Sequence, residues 1–402
     1  MLRVAAVLTF ALLMAFPASV AGALPSNTQF FTPTPNPGAT RQIRDLRAAG
    51  KHALADKIQA MVRVPSAVWF AWGTPADIKS YAEEVLAEAD EAGKVPILVV
   101  YNVPGRDCGL YSDGGAATGA EYREWIDGIA EAVGTARAMV IVEPDGLPLL
   151  PSDCGQADPY NRIGLIQYAA NKFDENPNAA VYIDAGNSNW HNVPTIARRL
   201  VQAGVGSVDG FALNVSNYQF TVNSNQFGTW VSKCIAYATG PAAGSYDDCP
   251  DQYGSYGGVA LTSYAKWSNS ASAANRNTSA ENARYAQLLN GEAAATRFVV
   301  DTSRNGTGPW PGTQAHPASE SDTEAWCNPP NRGAGRRTTA ATNVALVDAY
   351  VWIKLPGESD GECYRWTDGP KDPVRGVRDP SAGSWFRQQA SELARFAVPA
   401  FP

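Results

Sequence analysis

The chain has 402 residues, with 32 Lys and Arg against 39 Asp and Glu, a formal net charge of −7 and no block of basic residues. That length suits one large domain or a barrel with insertions, and the mild acidity without a basic patch excludes nucleic acid as a partner. Aromatic residues make up 10% and charged residues only 18%, a balance that fits either a large core or a surface that stacks on flat, neutral ligands.

Residues 1–23 open with Met1-Leu-Arg3, continue with the apolar run 4–16 and end on Pro17-Ala-Ser-Val-Ala-Gly-Ala23. This is the layout of a secretory signal, with cleavage expected after Ala21 or Ala23. The run is shorter than the roughly 18–20 apolar residues that span a bilayer. A secreted, extracellular protein with no membrane contact after signal removal is therefore expected. Residues 24–40, including Phe30-Phe-Thr-Pro-Thr-Pro-Asn-Pro37, read as an extended lead-in, and 41–402 as a single barrel domain without a second module or repeat.

Seven short apolar runs follow as strand candidates: Ala67-Val-Trp-Phe-Ala-Trp72, Ile97-Leu-Val-Val-Tyr-Asn102, Val140-Ile-Val-Glu-Pro-Asp145, Val181-Tyr-Ile-Asp184, Phe211-Ala-Leu-Asn214, Phe298-Val-Val-Asp301 and Tyr350-Val-Trp-Ile-Lys354. All but the first end on a carboxylate, an amide or an ammonium. Runs of this length suit strands buried on both faces, and polar residues at their C-terminal ends suit the mouth of a parallel α/β barrel. Between them lie helical stretches. Residues 77–92 carry Ile78, Tyr81, Val85 and Leu86 on one stripe, and 121–133 carry Trp125, Ile126, Ile129 and Val133. Strand and helix in alternation argue for parallel βα units.

Two segments break that rhythm. Residues 221–282 are rich in Ser, Asn, Gly and Tyr, and read as an insertion stapled by its own disulfide; 301–342 are rich in Gly, Pro and Asn and carry Trp310 and Trp326. Irregular segments of this length in a compact domain are commonly functional loops, here placed to roof a cleft. The six cysteines, Cys108, Cys154, Cys234, Cys249, Cys327 and Cys363, suit disulfides in an exported chain, although sequence alone allows 15 pairings. The three histidines, His52, His191 and His316, are scattered and no zinc spacing occurs. No metal and no cofactor are expected. Neither a serine-hydrolase nucleophile elbow nor a phosphate-binding loop is expected, and the glycines at 254–258 read as loop.

Acids crowded at a barrel mouth suit hydrolysis of a glycosidic bond, which needs a carboxylic acid to protonate the leaving oxygen. Asp145 is the candidate acid. Asp107, one strand away, would push its pKa up by like-charge repulsion. The competing reading is that Glu143 or Asp145 pairs with an arginine such as Arg106 or Arg304.

Taken in order, Tyr101-Asn-Val-Pro-Gly-Arg-Asp-Cys108, Val142-Glu-Pro-Asp145, Tyr182-Ile-Asp-Ala-Gly186, Asn214-Val-Ser-Asn-Tyr218, Asp301-Thr-Ser-Arg-Asn-Gly306, Trp326-Cys327 and Trp352-Ile-Lys-Leu-Pro-Gly-Glu-Ser-Asp-Gly361 resemble glycoside hydrolase family 6, the inverting β-1,4-glucanases. The resemblance implies a distorted barrel of seven parallel strands with a tunnel or groove across its C-terminal face. It implies Asp145 as general acid, Asp107 as the aspartate that raises that acid's pKa and helps position water, and Asp360 as base or charge stabiliser. A water chain through Asp107 and a loop serine, here Ser112, is the rival route for the proton. It further implies Tyr101 against the distorted sugar, Asp184 as another site aspartate, Asn217, Lys354 and Glu358 as sugar binders, and Trp190 and Trp326 as stacking platforms flanking the cleavage point. Cys108–Cys154 and Cys327–Cys363 fall on the family's two disulfides, which leaves Cys234 with Cys249.

Three departures stand out. Asn187 replaces the usual histidine after Asp-Ala-Gly. The segment after Tyr218 is longer than expected, and could wall the groove or decorate the outside. The stretch from Asp360 to Trp385 is intermediate between the short loop of endo-acting members and the long loop of exo-acting ones. The Asp-Thr-Ser-Arg-Asn-Gly motif leans to the endo branch. The expected protein is a monomeric endo-β-1,4-glucanase acting on a β-1,4-glucan polysaccharide. A cellobiohydrolase of the same family is the alternative, and a non-catalytic glucan-binding protein the more distant one.

Overall fold

Alternation within the apolar runs sends successive side chains to opposite faces of one sheet, and both faces are buried. The computed structural model describes residues 24–270, 272–311, 324–365 and 367–402; the expected signal at 1–23 lies outside the described residues. In chain order they form α1 (Pro37–Ala48), α2 (His52–Met61), β1 (Val68–Phe70), α3 (Pro75–Glu91), β2 (Ile97–Val100), α4 (Gly119–Val133), β3 (Ala138–Val142), α5 (Arg162–Asp174), β4 (Ala179–Asp184), α6 (Val193–Gln202), β5 (Gly210–Leu213), α7 (Thr221–Thr239), α8 (Ser279–Leu289), β6 (Arg297–Asp301), β7 (Val347–Val351) and α9 (Arg387–Arg395).

The seven strands pair in parallel in the order β1 to β7. One core lies inside the curl, where Ile97, Val99, Met139, Ile141, Val299 and Val351 meet. The other lies between the sheet and its helices, where Leu98, Val100, Val140, Val142, Phe298 and Val300 pack on Trp125, Ile126, Ile166 and Trp230. Each such side chain taken fully out of water contributes about 1.5–3 kcal/mol. The expected stripes of α3 and α4 are the buried ones, and both helices start on a threonine that accepts an N-terminal N–H: Thr74 from Asp77 and Thr118 from Glu121.

Among the described residues no ladder joins β7 to β1. The seam is bridged by the Ala67 N–H, which donates to Trp352 O at 2.9 Å, and by the Trp69 indole, which donates to Ile353 O at 2.8 Å. Ile58 and Met61 of α2 and Leu393 of α9 cover it, packed with Trp352. This is the distorted seven-stranded barrel that the resemblance implies.

Most strands differ from the expected runs by a few residues at an end, as β3 does at Ala138–Val142, and three differences are larger or change the kind of element. The last strand, expected over 350–354, is Val347–Val351. Its ladder with β6 ends at Asp301 and Val351, where the Asp301 carboxylate accepts the Lys354 N–H at 3.0 Å and turns the chain out of the sheet. Of the expected insertion at 221–282, the first 19 residues are α7, a helix of the barrel wall with Phe227, Trp230, Val231 and Cys234 in the outer core. Gly228 lets that helix approach β6, since a Cβ there would overlap the Phe298 ring. The irregular excursion is residues 240–278, stapled to α7 by Cys234–Cys249. The end of the lead-in, from Pro37, is already helical, with Asn36 as its cap.

Candidate active site

At the C-terminal ends of the strands lies a cleft of about 850 Å³, lined by Tyr101, Asp107, Ser112, Asp145, Trp190, Asn217, Trp326, Lys354, Glu358 and Asp360. All but one of the expected site residues therefore share one cavity. The exception is Asp184, fully buried at the end of β4 beneath the cleft floor. Several turns at the mouth hold non-glycine residues in the left-handed region: Asp107 at φ 57°, Glu143 at 49°, Asp145 at 62°, Asn214 at 67° and Ser216 at 56°. Such conformations cost on the order of 1–3 kcal/mol each and are held only where the surroundings impose them.

Asp145 follows β3, and its own N–H donates to Asp184 Oδ2 at 2.9 Å. Burial, then the neighbouring Asp184, Asp107 and Asp360, push its carboxyl well above the usual carboxylate range. Among the described residues no basic side chain forms an ion pair with it. Asp184 is also raised by burial, and its Oδ1 has no hydrogen-bond partner. Asp107 is raised by burial, although its Oδ2 accepts the Ser112 N–H at 2.7 Å.

Asp360 is set the opposite way. Burial would raise it, but the charges of Arg304 and Lys354 outweigh burial and hold it below its ordinary value. Arg304 Nη1 lies 2.9 Å from it, the Asn328 N–H 3.0 Å and Lys354 Nζ 3.6 Å. The arginine pairing expected as the rival reading thus falls on Asp360. Arg106 instead binds carbonyls, donating to Ser112 O at 2.9 Å and Ala71 O at 3.0 Å. Glu143 is a brace: its carboxylate accepts the Asn102 N–H at 3.0 Å and the Val103 N–H at 3.1 Å, and burial lifts it to about 7.

The remaining expected residues frame the cleft. Lys354 donates to Ser359 O at 3.1 Å, and burial depresses its ammonium pKa. Glu358 accepts from Asn36 Nδ2 at 2.9 Å. Trp190 is half-buried and stacks on His191 at 5.9 Å, and Trp326 lies 6.4 Å from the Tyr111 ring. Asn187, in the place of the expected histidine, is a cleft residue whose Oδ1 accepts the Asn189 N–H. Trp310 lines the same cavity. The three disulfides are Cys108–Cys154, Cys234–Cys249 and Cys327–Cys363, as the resemblance implies. Among the described residues no group of three His, Cys, Asp or Glu side chains is placed to hold a metal ion.

The structure gives Arg304 and Asp301, both named from the sequence, roles that the sequence did not assign them. Arg304 is completely buried, donates to Ser216 O and stacks over Tyr218 at 4.4 Å. Asp301 joins β6 to two loops, accepting from Ser216 N at 3.1 Å as well as from Lys354 N. Asn328 and Tyr264 were not singled out. Gly357-Glu-Ser-Asp-Gly361 spells the Gly-x-Ser-x-Gly pattern of serine hydrolases, contrary to the expectation that no such signal is present. Ser359 is nevertheless fully buried and its hydroxyl donates to Pro380 O at 2.7 Å, so it is a structural tie.

Comparison with known proteins agrees with this geometry. The sequence profile described as glycosyl hydrolases family 6 matches residues 25–243 and 251–397. Endoglucanase A of Cellulomonas fimi is 33% identical over 346 residues, which is 86% of this chain and 56% of that protein, so the chain spans little more than half of that relative. A probable 1,4-β-D-glucan cellobiohydrolase C of Aspergillus niger is 29% identical over 91% of this chain and 73% of its own. The solved endoglucanase Cel6 of Mycobacterium tuberculosis, in complex with methyl-cellobiosyl-4-deoxy-4-thio-β-D-cellobioside, is similar at a TM-score of 0.65 and 31% identity, covering 92% of this chain and 98% of that one. A profile that runs through nearly every described element, over a seven-stranded barrel with its acids gathered at the strand ends, means that the chain belongs to glycosyl hydrolases family 6.

Proposed function

We propose that the protein is a secreted, inverting endo-β-1,4-glucanase that cuts cellulose or a related β-1,4-glucan. One observation carries the reading: two carboxyls in one cleft are driven in opposite directions, Asp145 toward the protonated form and Asp360 toward the ionised form. Pairs pushed apart in this way divide acid and anionic roles between them. Asp145 donates its proton to the leaving glycosidic oxygen as positive charge builds at the anomeric carbon.

Asp360 suits the stabiliser's role better than the base's. Its oxygens already engage Arg304 and Asn328, and its depressed pKa makes it a poor proton acceptor. Asp107, raised by burial and tied to the Ser112 loop, is the better end of a water chain that takes the proton from the attacking water. Tyr101, Asn217, Lys354 and Glu358 bind the sugar, with Trp190 and Trp326 as platforms on its flat faces. The cleft is complete within one chain, which supports a monomer. Three disulfides support export.

Time-resolved proton NMR with cellohexaose tests the proposal. The α-anomer appearing first, with products of mixed length, is the expected result. The β-anomer first overturns inversion, cellobiose as the sole product shifts the reading to a cellobiohydrolase, and uncut oligosaccharide overturns glucanase activity.

A further inference from the structure

The excursion at 240–278 is built onto the cleft. Directly after Cys249, Gln252 reaches the loop that carries Trp190: its Nε2 donates to His191 O at 2.9 Å and Ser188 O at 3.3 Å, while the Tyr253 hydroxyl donates to Trp190 O at 3.0 Å. Three carbonyls around the half-buried Trp190 are thus held from one short segment, and Cys234–Cys249 anchors that segment to α7. The same excursion is tied back on itself, since Leu261 N–H donates to Gln252 O at 2.8 Å. Three residues on, Tyr264 lines the cleft although half of its surface is exposed. Its neighbour Ala265 is pinned to the start of α7, accepting from Asn223 Nδ2 at 3.0 Å.

An exposed aromatic ring on a tied-down support, at the rim of a cleft that already holds the indoles of Trp190 and Trp326, has the form of a sugar-stacking surface. We propose that Tyr264 is a further glucan-binding residue, one that stacks on a glucosyl unit beyond the one on Trp190, and that Gln252 and Tyr253 act as positioning residues for Trp190. The excursion is then a specificity wall that favours longer β-1,4-linked chains over short ones. This inference rests on the glucanase reading of the same cleft.

The test compares wild type with Tyr264→Ala and Tyr264→Phe on cellotetraose, cellohexaose and an aryl β-cellobioside, with cellohexaose binding measured by calorimetry. Tyr264→Ala is expected to lower kcat/KM on cellohexaose by roughly three- to tenfold, mostly through KM, and to weaken cellohexaose binding to match. The aryl cellobioside should be turned over as by wild type, and Tyr264→Phe should restore the loss because the ring is kept. Equal losses on short and long substrates, or none on any, overturn the proposal. If wild type binds cellohexaose without cutting it, the glucanase reading fails. The calorimetric comparison then still decides the stacking role, and unchanged affinity in Tyr264→Ala overturns that as well.

Discussion

Asn328 and Asp360 hold each other at both ends. The Asn328 N–H donates to Asp360 Oδ2 at 3.0 Å, and the Asp360 N–H donates to Asn328 Oδ1 at 2.9 Å. The Asn328 amide also donates to Gly361 O at 2.9 Å and Asp379 Oδ2 at 2.9 Å, and the neighbouring Cys327 is bonded to Cys363. The Asn328 main chain thus meets the carboxylate proposed for charge stabilisation, while its buried side chain fixes the Asp360 backbone from which that carboxylate projects.

Replacing Asn328 with Ala leaves buried donors and acceptors unpaired, at a cost of about 1–3 kcal/mol for each group left so. Thermal unfolding should show the loss. Steady-state kinetics on cellohexaose should show a fall in kcat with KM little changed, since the Asn328 side chain holds the Asp360 backbone and is itself fully buried. A rise in KM with kcat intact would remove Asn328 from this role.

Asp145→Asn removes the proposed proton donor while preserving shape. Turnover of unactivated oligosaccharide should fall by roughly 10²- to 10⁴-fold, with cellohexaose affinity by calorimetry close to wild type. Near-normal turnover in this variant would sink the assignment of the acid.

Arg304→Leu strips Asp360 of its fully buried partner. An uncompensated buried charge costs about 3–5 kcal/mol, so the unfolding midpoint should drop sharply. The Asp360 pKa should also rise. On the role proposed for Asp360, activity requires it ionised and is lost as pH falls through its pKa, so the acid limb of the pH–rate profile should move to higher pH. An unmoved acid limb in a folded variant would show that Arg304 does not set the ionisation of Asp360.

Stability should itself fall across the neutral range. Burial raises Glu143 from its ordinary 4.5 to about 7 and Asp379 from 3.8 to about 7. Acids with a raised folded pKa bind more protons in the native state, so the stability they contribute is fully present below about pH 4 and is lost as pH rises to about 7. Asp360, with a depressed pKa, acts in the other direction and only at pH below its ordinary 3.8. The unfolding midpoint should therefore decline from pH 5 to pH 8, and Glu143→Gln should shallow that decline. A midpoint that climbs over this interval contradicts the buried, raised acids.

Much of the barrel can be read from single residues and their neighbours. The alternation of Ile97 and Val99 into one core with Leu98 and Val100 into the other follows from strand geometry alone, and acids placed directly after those runs had to fall at one end of a parallel sheet. The boundary of β7 could not be read that way, because Trp352 and Ile353 are as apolar as the strand before them. What ends the strand is Asp301, about fifty residues earlier in the chain, capturing the Lys354 N–H. The helical nature of α7 was hidden by its polar residues: Asn223 and Ser224 are buried and so look like loop in composition.

The sequence by itself determined the strands, the face of each helix and the end of the sheet at which the acids gather, because these depend on periodicity within a few residues. Only the tertiary structure decided which carboxylate the buried arginine pairs with and which it leaves without a cation. The sequence offers Arg304 as a partner for Glu143 or Asp145, and the fold buries it against Asp360 instead, 56 positions away; Tyr264 reads as one polar-loop tyrosine among several until the excursion sets it on the rim of the cleft. Ionisation and ligand contact depend on burial and on partners remote in the chain, and those exist only once the barrel has closed around them.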